Sequence, residues 1–560
     1  MGMAKSCRWF ARCLLPVMVA IGGGCTGGGV VPRSADGPGA MLGPAVAEGS
    51  APGPAPGAVN LPARIRRLTS AEIAASITTL LPGVSVADDF VPDLRQGAFT
   101  VNAAARVDPL FAAQLQDVAH AAAVASAPQL VKALGCDSGD GCARRFIQDF
   151  AARAWRRPLD GAEVDDLLAL HRSGAQGAGF ADGIALVVEG ALEAASFLYV
   201  TELGDGRAKT GSTSLTPFET AAGLAYLLTG APPDAMLAAA ATDGRLASSA
   251  GRAAEARRLF ASAGAKAQMR RFVAEWLGLD KIATTSKDGA VYPDFEGMRP
   301  LIAAETDAFV TEVIDHDVGT IERLLTADYA MAGAALARYY DFVKTPSEIV
   351  AAGSTYRRWP LGAGPRRGIL TQASFLSVAA HTDGSAPVKR GVAILERLLC
   401  RALPKPSDVA IMVVQPKPDP QRTTRARFEA HVQDPVCRSC HDIIDPVGFA
   451  LEAFDGAGLV RVAENDQPVM TSAELAAGSL SGHIDDAVAL VEKLAANPEL
   501  EPCFARNVFR FAAAQSDEAL EAAFMERVVA PMPAGARGKF EDLFVAWAAS
   551  DMFITRRVAP

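Results

Sequence analysis

Residues 215–228 read LTPFETAAGLAYLL, and this stretch decides the fold class. Thr216 stands three positions before Glu219, the reciprocal pattern in which each side chain satisfies the other residue's backbone N–H. Pro217 then falls at the first helical position, where its missing N–H costs nothing. Ala221, Leu224, Leu227 and Leu228 recur at helical spacing and form one apolar stripe. The same opening returns at Thr69-Ser-Ala-Glu72 and at Asp160-Gly-Ala-Glu163, the second followed by Leu167, Leu168 and Leu170. Strand-like alternation bounded by hairpin turns is scarce. The expected fold is an all-α, multi-domain helical array.

Composition points the same way. The chain has 560 residues, too many for one small domain. Half of them are hydrophobic, but aromatics make up only 7% and alanine carries much of the apolar count. That mix favours helix on helix, because β-rich chains lean on Val, Ile, Tyr and Phe. Charged residues are 21% with a net charge of −9, so there is no basic footprint for nucleic acid and too little charge for a disordered chain. Gly and Pro clusters near 201–213, 231–233, 361–365 and 403–420 mark joints between helices, the last an extended crossover from Leu403 to Pro420. No repeat of 20–50 residues is present.

The first 25 residues carry an address. Lys5, Arg8 and Arg12 precede a nine-residue apolar run, Cys13 to Ile21. A spanning helix needs about 20 residues, so this is a secretory signal and not an anchor. Small residues then lead to Cys25, in a pattern that resembles a bacterial lipoprotein signal, where the cysteine becomes the lipid-modified first residue. A glycine stands three before Cys25 in place of the usual leucine, which leaves plain export as the alternative. Residues 26–62 hold 9 Gly and 7 Pro in 37 positions, too little apolar surface to order themselves. The expected location is outside the cytoplasm, on the periplasmic face or cell surface, with contact to the outer membrane through the lipid alone.

Cys437-Arg-Ser-Cys440-His441 is C-x-x-C-H, the attachment sequence for c-type haem. The two thiols bond the haem vinyl groups, and the adjacent histidine is the axial ligand. Such attachment occurs outside the cytoplasm, where the signal sends the chain. The alternatives are a redox pair, which belongs at a helix start in a βαβ context missing here, and a zinc site, for which a second C-x-x-C or a spaced His pair is absent. Beyond Cys7, Cys13, Cys25 and the two motif cysteines, four further cysteines remain. Cys136 and Cys142 flank the turn sequence Asp-Ser-Gly-Asp-Gly and can pair. Cys400 and Cys503 are then either a long-range staple or two buried thiols.

The run from Arg427 to Arg461, RFEAHVQDPVCRSCHDIIDPVGFALEAFDGAGLVR, resembles the haem-motif domain of the planctomycete-type cytochrome-c-like proteins, large exported chains built from consecutive domains of unknown function. Other stretches fit in the same order: RRLTSAEI (66–73), CARRFIQDFAARAWRRPL (142–159), LTPFETAAGLAYLL (215–228), RRGILTQASFLSVAAHTDGSAPVKRGVAILERLLC (366–400), and residues 499–514 with Cys503. The chain departs from the family at Phe511-Ala-Ala-Ala-Gln515, where a tyrosine and a Gly-Arg pair are usual. The resemblance implies helical domains and a haem on Cys437, Cys440 and His441. The extra N-terminal cytochrome domain of some relatives is not matched, and one haem c is expected.

For the second axial position the candidates are His381, His431 and Met470, or an open face. His120, His171, His316 and His483 lie in helical surroundings without partners. Asp445, Glu452 and Asp455 follow the haem motif closely; Asp445 before Pro446 reads as a turn residue or cap, with acid–base or haem-tuning work as the alternative. The basic pairs Arg156-Arg157, Arg366-Arg367 and Lys389-Arg390 read as solvated or carboxylate-bound, with an anionic cofactor's carboxylates as the alternative. No nucleophile elbow, phosphate loop or dinucleotide fingerprint is present.

The expected layout is a signal peptide over 1–24, a linker over 25–62, helical domains over 63–135, 136–212 and 213–345, a cytochrome-c-like haem-motif domain over 346–470 and a C-terminal helical domain over 471–560. The c-type haem region thus falls near the C-terminal third. The expected function is envelope electron transfer or redox with an undefined redox partner. The alternatives are a haem-dependent peroxidase or oxidase-like enzyme, and a non-catalytic surface interaction protein in which C-x-x-C-H is structural.

Overall fold

The computed structural model describes residues 59–558 apart from 87–89, 103–104, 209, 344, 346–352, 404–418 and 432–434. The signal segment, Cys25, nearly all of the 25–62 linker and most of the 403–420 crossover lie outside the described residues.

Two short strands, β1 (Leu61–Pro62) and β2 (Arg64–Arg67), open the described chain and lead into α1 (Ser70–Leu80). Four helices follow: α2 (Pro109–Leu134), α3 (Asp140–Trp155), α4 (Gly161–Ala175) and α5 (Phe180–Glu193). Their inward faces, including Leu115, Ala119, Ile147, Phe150, Val187 and Val188, form one hydrophobic core. Alanines at 119, 122 and 123 let α2 and α5 approach closely, which is how an alanine-rich sequence closes a helical core with few aromatics.

Strands β3 (Tyr199–Glu202) and β4 (Gly211–Ser214) lead into α6 (Pro217–Thr229). The three capping boxes expected from the sequence are all formed, by Thr69 with Glu72, Asp160 with Glu163, and Thr216 with Glu219. Beyond α6 come α7 (Ala263–Leu277), α8 (Phe295–Asp315), α9 (Pro387–Leu398), α10 (Thr424–His431) and α11 (Pro435–Phe449), then the hairpin β5 (Ala473–Ala477) and β6 (Leu480–Ile484). The chain closes through α12 (Leu500–Ala513), α13 (Phe540–Ala549) and β7 (Thr555–Val558). A second, larger core takes buried residues from Leu61 to Ile554 and is centred on aromatics: Phe272, Trp276, Phe504, Phe540 and Phe544 make edge-on, tilted and stacked contacts.

The fold is mainly α, and short strand pairs of two to five residues qualify the all-α expectation. Three of these pairs join segments remote in the chain. β1 runs parallel to β7, with Leu61 opposite Arg556, and β4 lies antiparallel on the other side of β7. β2 pairs with β3, with Arg64 opposite Glu202. Pairs of this kind leave no hairpin signature in the sequence. The β5–β6 hairpin does alternate, but through Ala473, Leu475 and Ala477, whose small side chains blur the pattern.

The two disulfides join Cys136 to Cys142 and Cys400 to Cys503. The second ties the end of α9 to α12. Among the described residues no helix is long and apolar enough to cross a membrane.

Candidate haem-attachment site

Cys437, Cys440 and His441 lie in the first half of α11, at i, i+3 and i+4, so they share one helix face. Cys437 and Cys440 are half-buried and take part in neither disulfide. One turn further on, Asp445 is buried (3% exposed), and its Oδ1 lies 2.9 Å from Nδ1 of His441. A carboxylate only accepts, so Nδ1 carries the proton and Nε2 presents its lone pair. The same hydrogen bond holds the His441 imidazole above its ordinary pKa. A ligating histidine is commonly oriented in this way, by a carboxylate on its other nitrogen. The donor set therefore fits a covalently attached haem: two thiols and one imidazole on a common face, with the imidazole's orientation fixed.

The turn expected at Asp445-Pro446 is not there, since α11 runs through Pro446 to Phe449. A proline inside a helix forfeits one hydrogen bond, and packing on α9 holds the segment helical nonetheless. The two helices touch backbone to backbone. A Cβ on Gly391 would overlap the Ile444 carbonyl oxygen, and one on Gly448 would overlap that of Pro387.

Arg390 locks the chain that leaves α11. It is fully buried and donates to the carbonyl oxygens of Leu451 (2.9 Å), Phe454 (2.9 Å) and Asp455 (2.6 Å). Glu452 lies beside it at 3.4 Å and also accepts from Ser385 Oγ (2.9 Å) and Arg461 Nη2 (2.8 Å). Asp455 caps its own turn, accepting from the N–H groups of Ala457 and Leu459. Of Asp445, Glu452 and Asp455, it is Asp445 that contacts the motif, whereas Glu452 joins Arg390, Arg461 and Ser385, and Asp455 holds its own turn.

Arg157 is carboxylate-bound as expected, holding Glu163 with both ends of its fork at 2.8 and 2.6 Å, but one arginine of each basic pair does more than that. Arg156, Arg366 and Arg390 are buried, and each donates chiefly to backbone carbonyls. Arg156 reaches those of Ser196, Phe197 and Tyr199, and Arg366 those of Thr371 and Gly458. A guanidinium carries five donors in a planar fork, which suits it to closing several loop carbonyls at once.

The candidate second ligands sit in different settings. His381 has Nδ1 3.3 Å from Lys389 Nζ, and burial with that ammonium holds its imidazole below the ordinary pKa. Met470 is 61% exposed and lines a cleft of about 320 Å³ together with Arg425 and Glu464. His431 ends α10, and its side chain lies outside the described residues. Three of the remaining histidines have neighbours that the sequence did not disclose: His120 pairs with Glu189, His483 with Glu474 and Asp485, and His171 packs edge-on against Phe180. Among the described residues no group of three or more His, Cys, Asp or Glu side chains is set to hold a metal ion.

Three domain families match the chain in consecutive order. The family described as PSD5, protein of unknown function (DUF1595), matches residues 142–202; PSD4, protein of unknown function (DUF1592), matches 215–342; and PSCyt3, protein of unknown function (DUF1588), matches 366–464. The last span contains Cys437, Cys440 and His441. Comparison with curated proteins and with solved structures returns no match. With these three domains in sequence, the chain belongs to the planctomycete-type cytochrome-c-like family built from them.

Proposed function

We propose that the chain is an exported c-type haem protein that carries out electron transfer or redox work on the cell envelope. One haem is held by Cys437 and Cys440, with His441 as proximal ligand. The observation that carries this reading is the Asp445–His441 hydrogen bond on the helix face that also bears both thiols. Bound there, haem c supplies a one-electron iron couple. Cys437 and Cys440 fix its position covalently, and Asp445 holds the proton on Nδ1 so that Nε2 stays available. Arg390 and the α9–α11 contact keep the helix from shifting. Lipid attachment at Cys25 and the Gly/Pro-rich linker would hold this body at the outer membrane, facing the periplasm or the cell exterior, within reach of a redox partner.

The test is to produce the chain in a host with haem-maturation machinery and assay covalent haem by the pyridine hemochrome. Haem in the wild type and its loss in Cys440→Ala support the reading; colourless wild-type protein sinks it. The oxidised spectrum with and without cyanide or peroxide then separates the classes. A low-spin spectrum indifferent to both supports transfer, whereas a high-spin one that reacts overturns transfer in favour of a haem enzyme.

A further inference from the structure

A second feature lies where the two ends of the described chain meet. A cavity of about 70 Å³ opens between β2, β3, α6, α7, the end of α12 and β7. Four arginines line it, Arg64, Arg66, Arg271 and Arg556, against two carboxylates, Glu72 and Glu202. Arg64 and Arg556 share Glu202, with Arg64 Nε at 3.1 Å and Arg556 Nε at 2.6 Å. Arg66 holds Glu72 with both ends of its fork, at 2.6 and 3.1 Å. Arg271 gives Nε to Glu275 (3.1 Å) and Nη2 to the Thr100 carbonyl (2.8 Å); among the described residues no hydrogen bond reaches its Nη1. The lining itself thus holds four guanidinium groups and two carboxylates, while Glu275 stands behind Arg271 and Glu219 acts on Arg556 from outside the cavity.

A cavity wall richer in guanidinium than in carboxylate, with one guanidinium N–H group left without a protein acceptor among the described residues, favours an anion over a cation or a neutral guest. Guanidinium forks match the oxygens of carboxylate and phosphate. One water needs about 10–15 Å³ of such volume, so the cavity takes several waters or one small oxyanion. Arg64 and Arg66 each keep 12% of their side chains exposed, and the site is reached from solvent.

We propose that this cavity is a binding site for a small oxyanion the size of phosphate or acetate, with Arg271 as its open donor. The ligand would sit among segments that begin and end the described chain, so occupancy stabilises their junction. The site is independent of the haem reading, and its test needs no haem.

Titrate the full chain calorimetrically with inorganic phosphate, and separately with acetate, at constant ionic strength set by chloride. Saturable one-site binding of either anion, with a Tm that rises with its concentration, is expected; which anion binds distinguishes phosphate from carboxylate chemistry. Arg271→Gln should weaken binding at least tenfold with an unchanged circular dichroism spectrum. Should that variant not fold, Arg66→Lys, which keeps the charge opposite Glu72 but removes the fork, should weaken it too. No saturable binding of either anion to the wild type overturns the site, as does undiminished binding in the folded variants.

Discussion

Tyr340 donates its phenolic hydroxyl to Glu305 inside the protein, where the two residues are 6% and 1% exposed. Arg366 lies over the Tyr340 ring, 4.2 Å from its centroid. Tyr340 in turn accepts the N–H of Ala373. A carboxylic acid therefore sits beside a phenol and under a guanidinium that is itself engaged with carbonyls. Burial outweighs both neighbours and pushes the Glu305 carboxyl from 4.5 up to about 7.

That shift fixes the sign of a pH effect. A raised acid pKa means the folded state binds the proton more tightly than the unfolded chain does. The stabilisation is complete below the unfolded value near 4.5 and is lost as pH rises through about 7. Its size is about 3–4 kcal/mol at most, from roughly 1.4 kcal/mol per pKa unit. Glu305→Gln removes the ionisation, so the variant should gain on the wild type between pH 5 and pH 8 in urea unfolding. Parallel pH profiles for the two proteins would count against the assignment.

The two disulfides should rank by loop length. Removing the 400–503 bridge, which spans a sequence separation of 103, should cost about 4–5 kcal/mol on the loop-entropy account; the 136–142 bridge, with a separation of 6, should cost about 2. Cys400→Ser/Cys503→Ser and Cys136→Ser/Cys142→Ser double variants, compared by thermal unfolding, test the order. A larger loss from the short loop reverses it.

What the sequence disclosed and what it hid follow one physical line. The capping boxes at Thr69, Asp160 and Thr216 depend on residues three apart, and local chemistry is enough to read them. The 136–142 disulfide closes a turn written between its cysteines. The clasps of Arg156, Arg366 and Arg390 were hidden because their carbonyl partners lie up to 92 residues away, on backbone that is brought near only by packing. The parallel pairing of Leu61 with Arg556 was hidden for the same reason. His441 and Asp445 stand one helical turn apart, and the spacing was visible. Pro446 suggested a turn at that point, and only the packing of α11 on α9 shows that the helix continues.

Asp445→Asn keeps the shape of the side chain and removes the charge opposite His441. On the haem reading, the covalent haem content should not change, because Cys437 and Cys440 are untouched. The midpoint potential should rise, since a carboxylate partner makes the imidazole a stronger donor and favours the oxidised iron. Redox titration of haem-loaded wild type and variant measures it. An unchanged potential with full haem content would leave Asp445 as a packing residue.

The α9–α11 contact makes the sharpest claim about packing. Gly391 lies where any side chain would overlap the Ile444 carbonyl oxygen, and that obstacle is backbone rather than a side chain able to swing away. Gly391→Ala must separate the two helices or bend one of them, at about 1–3 kcal/mol for overpacking a filled core. Gly297, within the first turn of α8, has nothing within 4 Å of where its Cβ would stand. There the same substitution removes only the glycine's conformational freedom and should stabilise by about 0.4–1 kcal/mol. Opposite signs for the two variants in urea unfolding are the expected result. A neutral Gly391→Ala would mean that α9 and α11 do not meet as closely as the structure has them, and that the haem-motif helix is less firmly held than the site requires.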